Sequence, residues 1–555
     1  MHGHKQERIL KEIEEVDNQD DNSSLSEDAK LKRMELISQL RMIDNKLDCL
    51  CRQKAREKWL KHGETNSRYY HSILRWRQLR NEVKGVEVGN QWNEEPNGVC
   101  KEAKRLLEDR FHATHDYGVR LGAVEFKTLP LEASLSLILN FIEEEIKEAV
   151  WQCEGSKSPD PAGFNFNFIK KNWASLKQDI VEVVHSFQKS GCIPTKLYQY
   201  RPISLMGAIY KIITKVLSCR IKGILPLVID DSQSTFLKDK DMLDSVLVAN
   251  EVVEELRRHG RSGLCLKMDY EKAYDSVRWD FLIHMLQRQG FHSKWTRWVK
   301  GCLESMSVSV LVNGSPTVEF RPIRGLRQGD LLAPFLFLII PEGLVRLVRQ
   351  ALKANLLNGV KVERNEVEVC VLQFADDTLF MCKDSYNSVI SIKAILRCYK
   401  IVFGLKINFH KSKLVDINVE RSSLKFFASS LNCTLMRVPF KYLGVVVEGN
   451  PRNKLFWELI LNKSSDRLTA RKGRFLSLAG RICLIKLVLT ALPLFYSSLF
   501  KAPTSVYNKI ISTQRNFLWA WGREKRSISW VSWENVCKPM AEGGRGEERK
   551  DLFLG

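Results

Sequence analysis

Apolar and polar positions alternate over two short stretches of this chain. In Gly263–Met268, Leu264, Leu266 and Met268 fall at every second position, which predicts a strand with one apolar face. Asp269 ends that strand on the opposite face. In Val371–Met381, two β-prone apolar runs flank Asp376 and Asp377, which predicts a strand, an acidic turn and a returning strand. Ser307–Glu319 reads as a hairpin about Asn313-Gly314, a strong turn pair. Residues 140–262 read as mainly helical, and helices prevail again from 447 onward. The run after Asp275, through Val277, Phe281 and Leu282, has helical spacing, so Asp275 is expected to be a helix N-cap rather than a ligand. The longest apolar stretch, Leu331–Leu344, contains Pro334, Pro341 and Glu342 and predicts no membrane-spanning helix. This mixture of elements is an α+β pattern.

Charge narrows the partners. The 555 residues hold 86 Lys+Arg against 65 Asp+Glu, a net charge of +21, which points to a polyanion and to nucleic acid before a membrane surface. Arg52–Arg80 is basic with interleaved aromatics: Arg56, Arg68 and Arg75 lie among Trp59, Tyr69, Tyr70 and Trp76. Cations neutralise phosphates and rings stack on bases, although a solvated amphipathic helix shows the same pattern. Near the other end, Arg467, Arg471, Arg474 and Arg481 share one face of a continuous helix, a basic rail for a duplex or an ordinary exposed face. Gly473 and Gly480 weaken the continuity of that helix. The 14 Cys form no Cys-x-x-Cys and no Cys/His cluster, so reduced intracellular thiols are expected. The N-terminus is polar and shows no signal-peptide pattern.

Two adjacent carboxylates repel unless a cation lies between them, and a divalent metal is the usual answer. A third carboxylate, Asp269, brought beside Asp376 and Asp377 would complete a cage for two Mg²⁺ ions, with Mn²⁺ as an alternative. Such a pair activates a hydroxyl nucleophile and stabilises a pyrophosphate leaving group. Of the pair, Asp376 is expected to ligate more directly.

Further motifs stand in order around these carboxylates. They are Tyr-Arg-Pro-Ile-Ser-Leu (200–205) with Tyr210-Lys211-Ile212, Gln-Ser-Thr-Phe (233–236), Lys-Met-Asp-Tyr-Glu-Lys-Ala-Tyr-Asp (267–275) and Arg-Gly-Leu-Arg-Gln-Gly-Asp-Leu-Leu-Ala-Pro (324–334). Phe-Ala-Asp-Asp (374–377), Gly-Leu-Lys-Ile-Asn-Phe-His-Lys-Ser-Lys (404–413) and Pro-Phe-Lys-Tyr-Leu-Gly (439–444) follow. In this series the chain resembles the reverse transcriptases of non-LTR (LINE-type) retrotransposons, the plant branch in particular. The resemblance implies a right-hand polymerase. Its helical N-terminal extension would occupy 1–125, its fingers 126–262, its palm with an antiparallel sheet 263–446 and its helical thumb 447–555. It implies RNA-directed DNA synthesis with an RNA template, a DNA primer and dNTPs, in the nucleus with a cytoplasmic ribonucleoprotein stage. It implies metal binding by Asp269, Asp376 and Asp377, and nucleotide contacts from Arg201, Tyr274, Gln328, Gly329 and Lys406, with Lys411 nearby. Tyr274 would exclude a 2′-OH, which disfavours an RNA-dependent RNA polymerase. Tyr442, Leu443 and Gly444 would form the primer grip. No endonuclease-like segment is visible, so a separate endonuclease is expected to supply the nick.

Four departures from the family pattern bear on turnover. Lys157–Phe164 has Asp160 where Gly is usual and Ala162 where Asp is usual. Ile193–Tyr200 runs almost directly into Arg201, without the usual strand and loop. Lys238-Asp239-Lys240 replaces Pro-Gly-Arg, Leu331 replaces a Pro, and Pro341 falls inside a predicted helix. The rival expectation is therefore a nucleic-acid-binding remnant of the same fold that does not turn over.

Overall fold

The computed structural model describes residues 2–18, 27–55, 68–112, 122, 124–155, 165–193, 206–362, 367–449, 454–467, 476–486, 500–519 and 531–538. Two compact units form: Val83–Gly449, and Met1–Glu82 together with Asn450–Gly555. The boundary expected at 125 falls inside the larger unit, which includes the hairpin of Val86–Val88 and Gln91–Asn93 and the helix Pro96–His112.

The larger unit is built on a five-stranded sheet. Its strands are β1 (Gly263–Met268), β2 (Val371–Phe374), β3 (Asp377–Cys382), β4 (Lys413–Ile417) and β5 (Thr434–Met436). Their spatial order is β5-β4-β1-β3-β2. β1 is antiparallel to both neighbours, and only β4 and β5 run parallel. Leu264 pairs with Cys382, Leu266 with Phe380 and Met268 with Thr378. These alternate residues face the main core, as the period-2 pattern predicted. β1 departs from expectation on its other face, because Cys265 is buried as well.

Helices α1 (Met206–Val228), α2 (Met242–Arg258), α3 (Trp279–Arg288), α4 (Ala333–Lys353) and α5 (Tyr386–Phe403) surround the sheet. Residues of α3, α4 and α5 share the main core with Leu264, Leu266 and Phe380. On the opposite side, α2 lies against β1, so closely that a Cβ at Gly263 would meet Leu256 Cδ1 at 2.5 Å. A second hairpin, β6 (Phe440–Tyr442) and β7 (Val445–Val447), follows the sheet in sequence. The Lys267 ammonium of β1 donates to the Lys441 carbonyl of β6 at 3.1 Å. A strand covered on both faces has no solvent side, which accounts for the burial of Cys265.

α4 is the most deeply buried helix described. It runs through Pro341, an interior proline that costs about 3 kcal/mol. Leu336–Ile340, Leu344, Val345 and Val348 are all buried, at about 1.5–3 kcal/mol each. Burial on that scale outweighs the missing hydrogen bond, so the helix continues. The mainly helical reading of 140–262 agrees with helices at Glu143–Gln152, Phe166–Lys171 and Trp173–Ser190, followed by α1 and α2. Asn313 and Gly314 take positive φ of 50° and 91° in the predicted hairpin turn. Asp239, where the family pattern has glycine, takes φ of +59°, a region that Asp tolerates better than most residues.

In the smaller unit, helices His2–Asn18 and Glu27–Ala55 pack through Ile9, Val16, Leu36 and Ile43, at seven-residue spacing within each helix. Arg33 donates to Asp17 at 2.7 Å beside that contact. Helices Lys454–Arg467, Leu478–Leu484 and Thr504–Trp519 follow in the C-terminal segment.

Candidate active site

The site is assembled at one end of β1, β2 and β3. Phe374 pairs with Asp377 across the β2–β3 turn, and Met268 pairs with Thr378. One further step along that ladder sets Asp269 beside Asp377. The turn between β2 and β3 is Ala375-Asp376, and Ala375 carries a positive φ of 54°. The Asp269 backbone is held from β4's side: its N–H donates to the Ser412 hydroxyl at 3.2 Å, and its carbonyl accepts from Asn408 N–H at 2.8 Å.

The three carboxylates feel one another. Burial raises the Asp377 carboxyl above its ordinary range; Lys267 opposes the shift, and the charges of Asp376 and Asp269 add to it. Burial also pushes the Tyr270 hydroxyl up to about 12, with the nearby Tyr399 and Thr378 hydroxyls acting against it and the Asp376 charge adding to it. Tyr274 is raised by burial and then by Asp376. The Asp376 charge thus acts on both tyrosines, and the Lys267 charge acts on Asp377. Hard oxygen donors of this kind suit Mg²⁺. Among the described residues, however, no three His, Cys, Asp or Glu side chains already converge into a metal-holding group. The donor chemistry fits a divalent cation, in an arrangement that is open. Neighbouring strand residues point to opposite sides, and uncompensated like charges repel.

Several of the other expected residues gather around these aspartates. Tyr274 stacks on Phe337 of α4, with ring centroids 4.5 Å apart and planes 13° apart. Its carbonyl accepts from Leu326 N–H at 2.8 Å, and the Val277 carbonyl accepts from Gly325 N–H at 2.7 Å. The 324–329 loop is thereby laid along the Tyr274 segment. Gln328 donates to Asp275 Oδ1 at 3.2 Å, and Gly329 has φ of +87°, which any larger residue would adopt with strain. Lys406 is exposed, and its carbonyl accepts from Glu271 N–H at 2.8 Å. Tyr442 is fully buried; burial raises its hydroxyl, and the Asp377 charge adds to the effect. Leu443 and Gly444 form the hairpin turn, with φ of 50° and 84°.

Two expectations are corrected. Asp275 is not an N-cap. It lies inside the short helical turn Ala273–Ser276, the residue capping α3 is Arg278, and the Asp275 carboxylate contacts Gln328 and, at 3.8 Å, Arg110. Val277 and Arg278 are extended, which delays the helix by several residues. Arg481 is not on an exposed rail. It is buried and donates to the Leu518 carbonyl at 3.1 Å. The Ser477 hydroxyl caps a new helix by accepting from Gly480 N–H at 3.1 Å, so Arg467 and Arg481 belong to different helices.

Of the remaining basic residues, Arg75 is exposed on the helix Arg68–Asn81, which Arg68 opens. On that helix the Arg80 guanidinium lies 5.0 Å from the Trp76 ring centroid. Arg56, Arg201, Arg471 and Arg474 lie outside the described residues, as do the departures at 157–162 and at 194–201. Lys267, Tyr270 and the pair Tyr210–Asp330 were not picked out as site residues. The Tyr210 hydroxyl donates to Asp330, and Arg327 lies 4.7 Å from the Tyr210 ring centroid. Only their positions within the quoted motifs could have flagged them.

This arrangement agrees with similarities to known proteins. Residues 188–447 match the family model described as reverse transcriptase (RNA-dependent DNA polymerase). The transposon TX1 uncharacterized 149 kDa protein of Xenopus laevis is 27% identical over 434 residues, covering 73% of this chain and 31% of that protein. The retrovirus-related Pol polyprotein from type-2 retrotransposable element R2DM of Drosophila melanogaster is 25% identical over 255 residues, covering 44% of this chain and 23% of that protein. A putative ribonuclease H protein of Arabidopsis thaliana is 37% identical over 94 residues, covering 17% of this chain and 15% of that protein. The chain thus spans about a third or less of the length of these relatives. Residues 188–447 are thus similar to reverse-transcriptase domains, and the chain to proteins of retrotransposable elements.

Proposed function

We propose that this chain is the polymerase portion of a LINE-type retroelement and extends a primer 3′-OH with dNTPs on an RNA template. The observation that carries the proposal is the placement of Asp269, Asp376 and Asp377 at neighbouring backbone positions at one end of antiparallel strands, within residues that match a reverse-transcriptase family model. In this reading residues 126–262 act as fingers, 263–446 as palm and 447–555 as thumb, with 1–125 as a helical extension. Motif resemblance and the Arabidopsis relative support a plant origin.

Asp269, Asp376 and Asp377 would hold Mg²⁺, or Mn²⁺ in its place, which when bound neutralises charge during in-line displacement at the α-phosphate. The chain's own residues position the reactants. Tyr274, made rigid by Phe337, stands where the sugar of the incoming nucleotide would lie and excludes a 2′-OH. Gln328 and Gly329 line the nucleotide's approach, with Lys406 and Arg201 as candidate phosphate contacts. The Tyr442–Gly444 turn, beside Asp377, would seat the primer end. Catalysis of this kind is mostly positioning and electrostatics. An endonuclease activity supplies the primer nick, and the work is nuclear after a cytoplasmic ribonucleoprotein stage.

Primer extension on poly(rA)/oligo(dT) with Mg²⁺ tests the proposal. The chain should extend the primer, and Asp376→Ala should not. Absence of extension from both, with folding and RNA binding retained, would leave the non-catalytic remnant as the correct reading.

A further inference from the structure

The turn that presents Asp376 and Asp377 starts from an unfavourable backbone. Ala375 sits at φ of +54°, where a residue with a Cβ is uncommon and only over-determined by its surroundings. Its N–H is satisfied by a side chain from a distant part of the sequence. Gln233 Oε1 accepts from Ala375 N–H at 3.1 Å and from Thr235 N–H at 3.1 Å. Two donors on that oxygen fix the amide's orientation, because the flipped NH₂ would face both of them.

Gln233 is itself held firmly. It is 1% exposed. Its segment runs along the outer edge of β2, forming a parallel bridge with Gln373. Gln373 N–H donates to the Ser232 carbonyl at 2.8 Å, and Ser234 N–H donates to the Gln373 carbonyl at 3.1 Å. One end of the segment is anchored in α4. Asp230 accepts from Arg349 at 2.9 Å, and its own N–H donates to Glu342 Oε2 at 2.9 Å. The other end is tied to α2, where the Ser245 hydroxyl donates to the Ser234 hydroxyl at 2.8 Å. The residues 230–235 thus form a strap bound at both ends, and its central side chain grips the carboxylate turn.

We infer that Gln233 is a positioning residue that holds the Ala375 backbone in its left-handed conformation and so sets the directions of Asp376 and Asp377. The role rests on the polymerase reading of those aspartates, whereas the brace itself does not. Gln233→Met keeps the length and the apolar stem but removes the acceptor. Released, Ala375 relaxes towards negative φ and the two carboxylates turn with it. Misplacement of about an ångström in a reacting constellation costs about a hundredfold in rate.

Two measurements test this. The first is hydrogen exchange at the single amide of Ala375, in wild type and Gln233→Met. In wild type it should exchange as slowly as the strand amides of β3, and in the variant at least about tenfold faster. A fast Ala375 amide in wild type, or equal rates in both proteins, overturns the brace; the wild-type result stands even if the variant does not fold. The second is primer extension. The variant should lose about tenfold to a hundredfold in kcat, with the dNTP KM and RNA affinity within about twofold of wild type. Gln233→Met/Ala375→Gly should recover part of the loss, because glycine reaches positive φ unaided. Unchanged kcat in folded Gln233→Met overturns the positioning role. If wild type does not extend primers, the polymerase reading fails, and hydrogen exchange still decides the brace.

Discussion

Gly343→Ala in α4 is the most informative single perturbation of the scaffold. A methyl built at Gly343 would overlap Phe403 Cε1 and Cζ, and real Cβ atoms essentially never approach another atom within 3.0 Å. Phe403 has no room to retreat. It is fully buried on α5 and packed against Phe281 and Tyr399, with ring centroids 4.2 and 4.1 Å away. Overpacking a closed site costs about 1–3 kcal/mol, and a contact this close belongs at or above the upper end. Replacing an interior helical glycine by alanine returns about 1 kcal/mol. The net effect is a destabilisation of about 2 kcal/mol, or a fall in Tm of about 2–3 °C for a unit of this size. Urea unfolding followed by tryptophan fluorescence measures it, and Gly343→Ala/Phe403→Leu should regain part of the loss. Because α4 also carries Phe337 beneath Tyr274, primer extension should fall together with stability. Equal or greater stability for Gly343→Ala would refute the close packing of α4 on α5.

Other expectations follow from the same contacts. Asp230 is buried, which alone would raise its carboxyl, yet bonds from Arg349 and Ser232 hold it down at about 2. A depressed carboxylate adds stability above its unfolded value of 3.8 and loses it as pH falls through about 2, here about 2 kcal/mol. Arg349→Met should therefore lower stability at pH 7 by about that much, with the gap to wild type closing between pH 4 and 2 in urea titrations. Tyr274→Val should admit ribonucleotides, improving the rNTP/dNTP ratio of kcat/KM by about 10–100-fold in single-nucleotide extension, with unchanged discrimination as the contrary result. Arg481→Met should lower the Tm by several degrees, through the unsatisfied Leu518 carbonyl, and leave the salt dependence of RNA binding unaltered; a shallower salt slope would restore the basic rail.

Local patterns are more legible in the sequence than long-range pairings. Leu264, Leu266 and Met268 declare a strand because side-chain alternation is a property of six residues, and Asn313-Gly314 declares a turn for the same reason. The adjacency of Asp269 and Asp377 depends on pairing across more than a hundred residues, and it became legible through the order of the motifs. Asp275 differs from its expected capping role because a helical periodicity does not say where the helix begins, and the extended Val277-Arg278 delays it. The arginine stripe failed for a related reason: Ser477 starts a new helix inside it, and Arg481 turns inward to a carbonyl. Pro341 departs from the family pattern inside a helix, and burial along α4 explains why the helix persists. Gln233 carried no local signal of its contact with Ala375, because a side chain capping a distant backbone N–H leaves no periodic trace.

The central claim is that Asp269 and Asp377 act as one unit in nucleotidyl transfer. Single-turnover primer extension by Asp269→Asn, Asp377→Asn and the double variant, at equal RNA–primer occupancy, tests it most directly. Groups that act together are strongly non-additive, so each single variant should lose at least about a thousandfold, and the double should be no slower than the worse single. Substantial extension by either single variant, or losses that multiply in the double, would contradict the shared site.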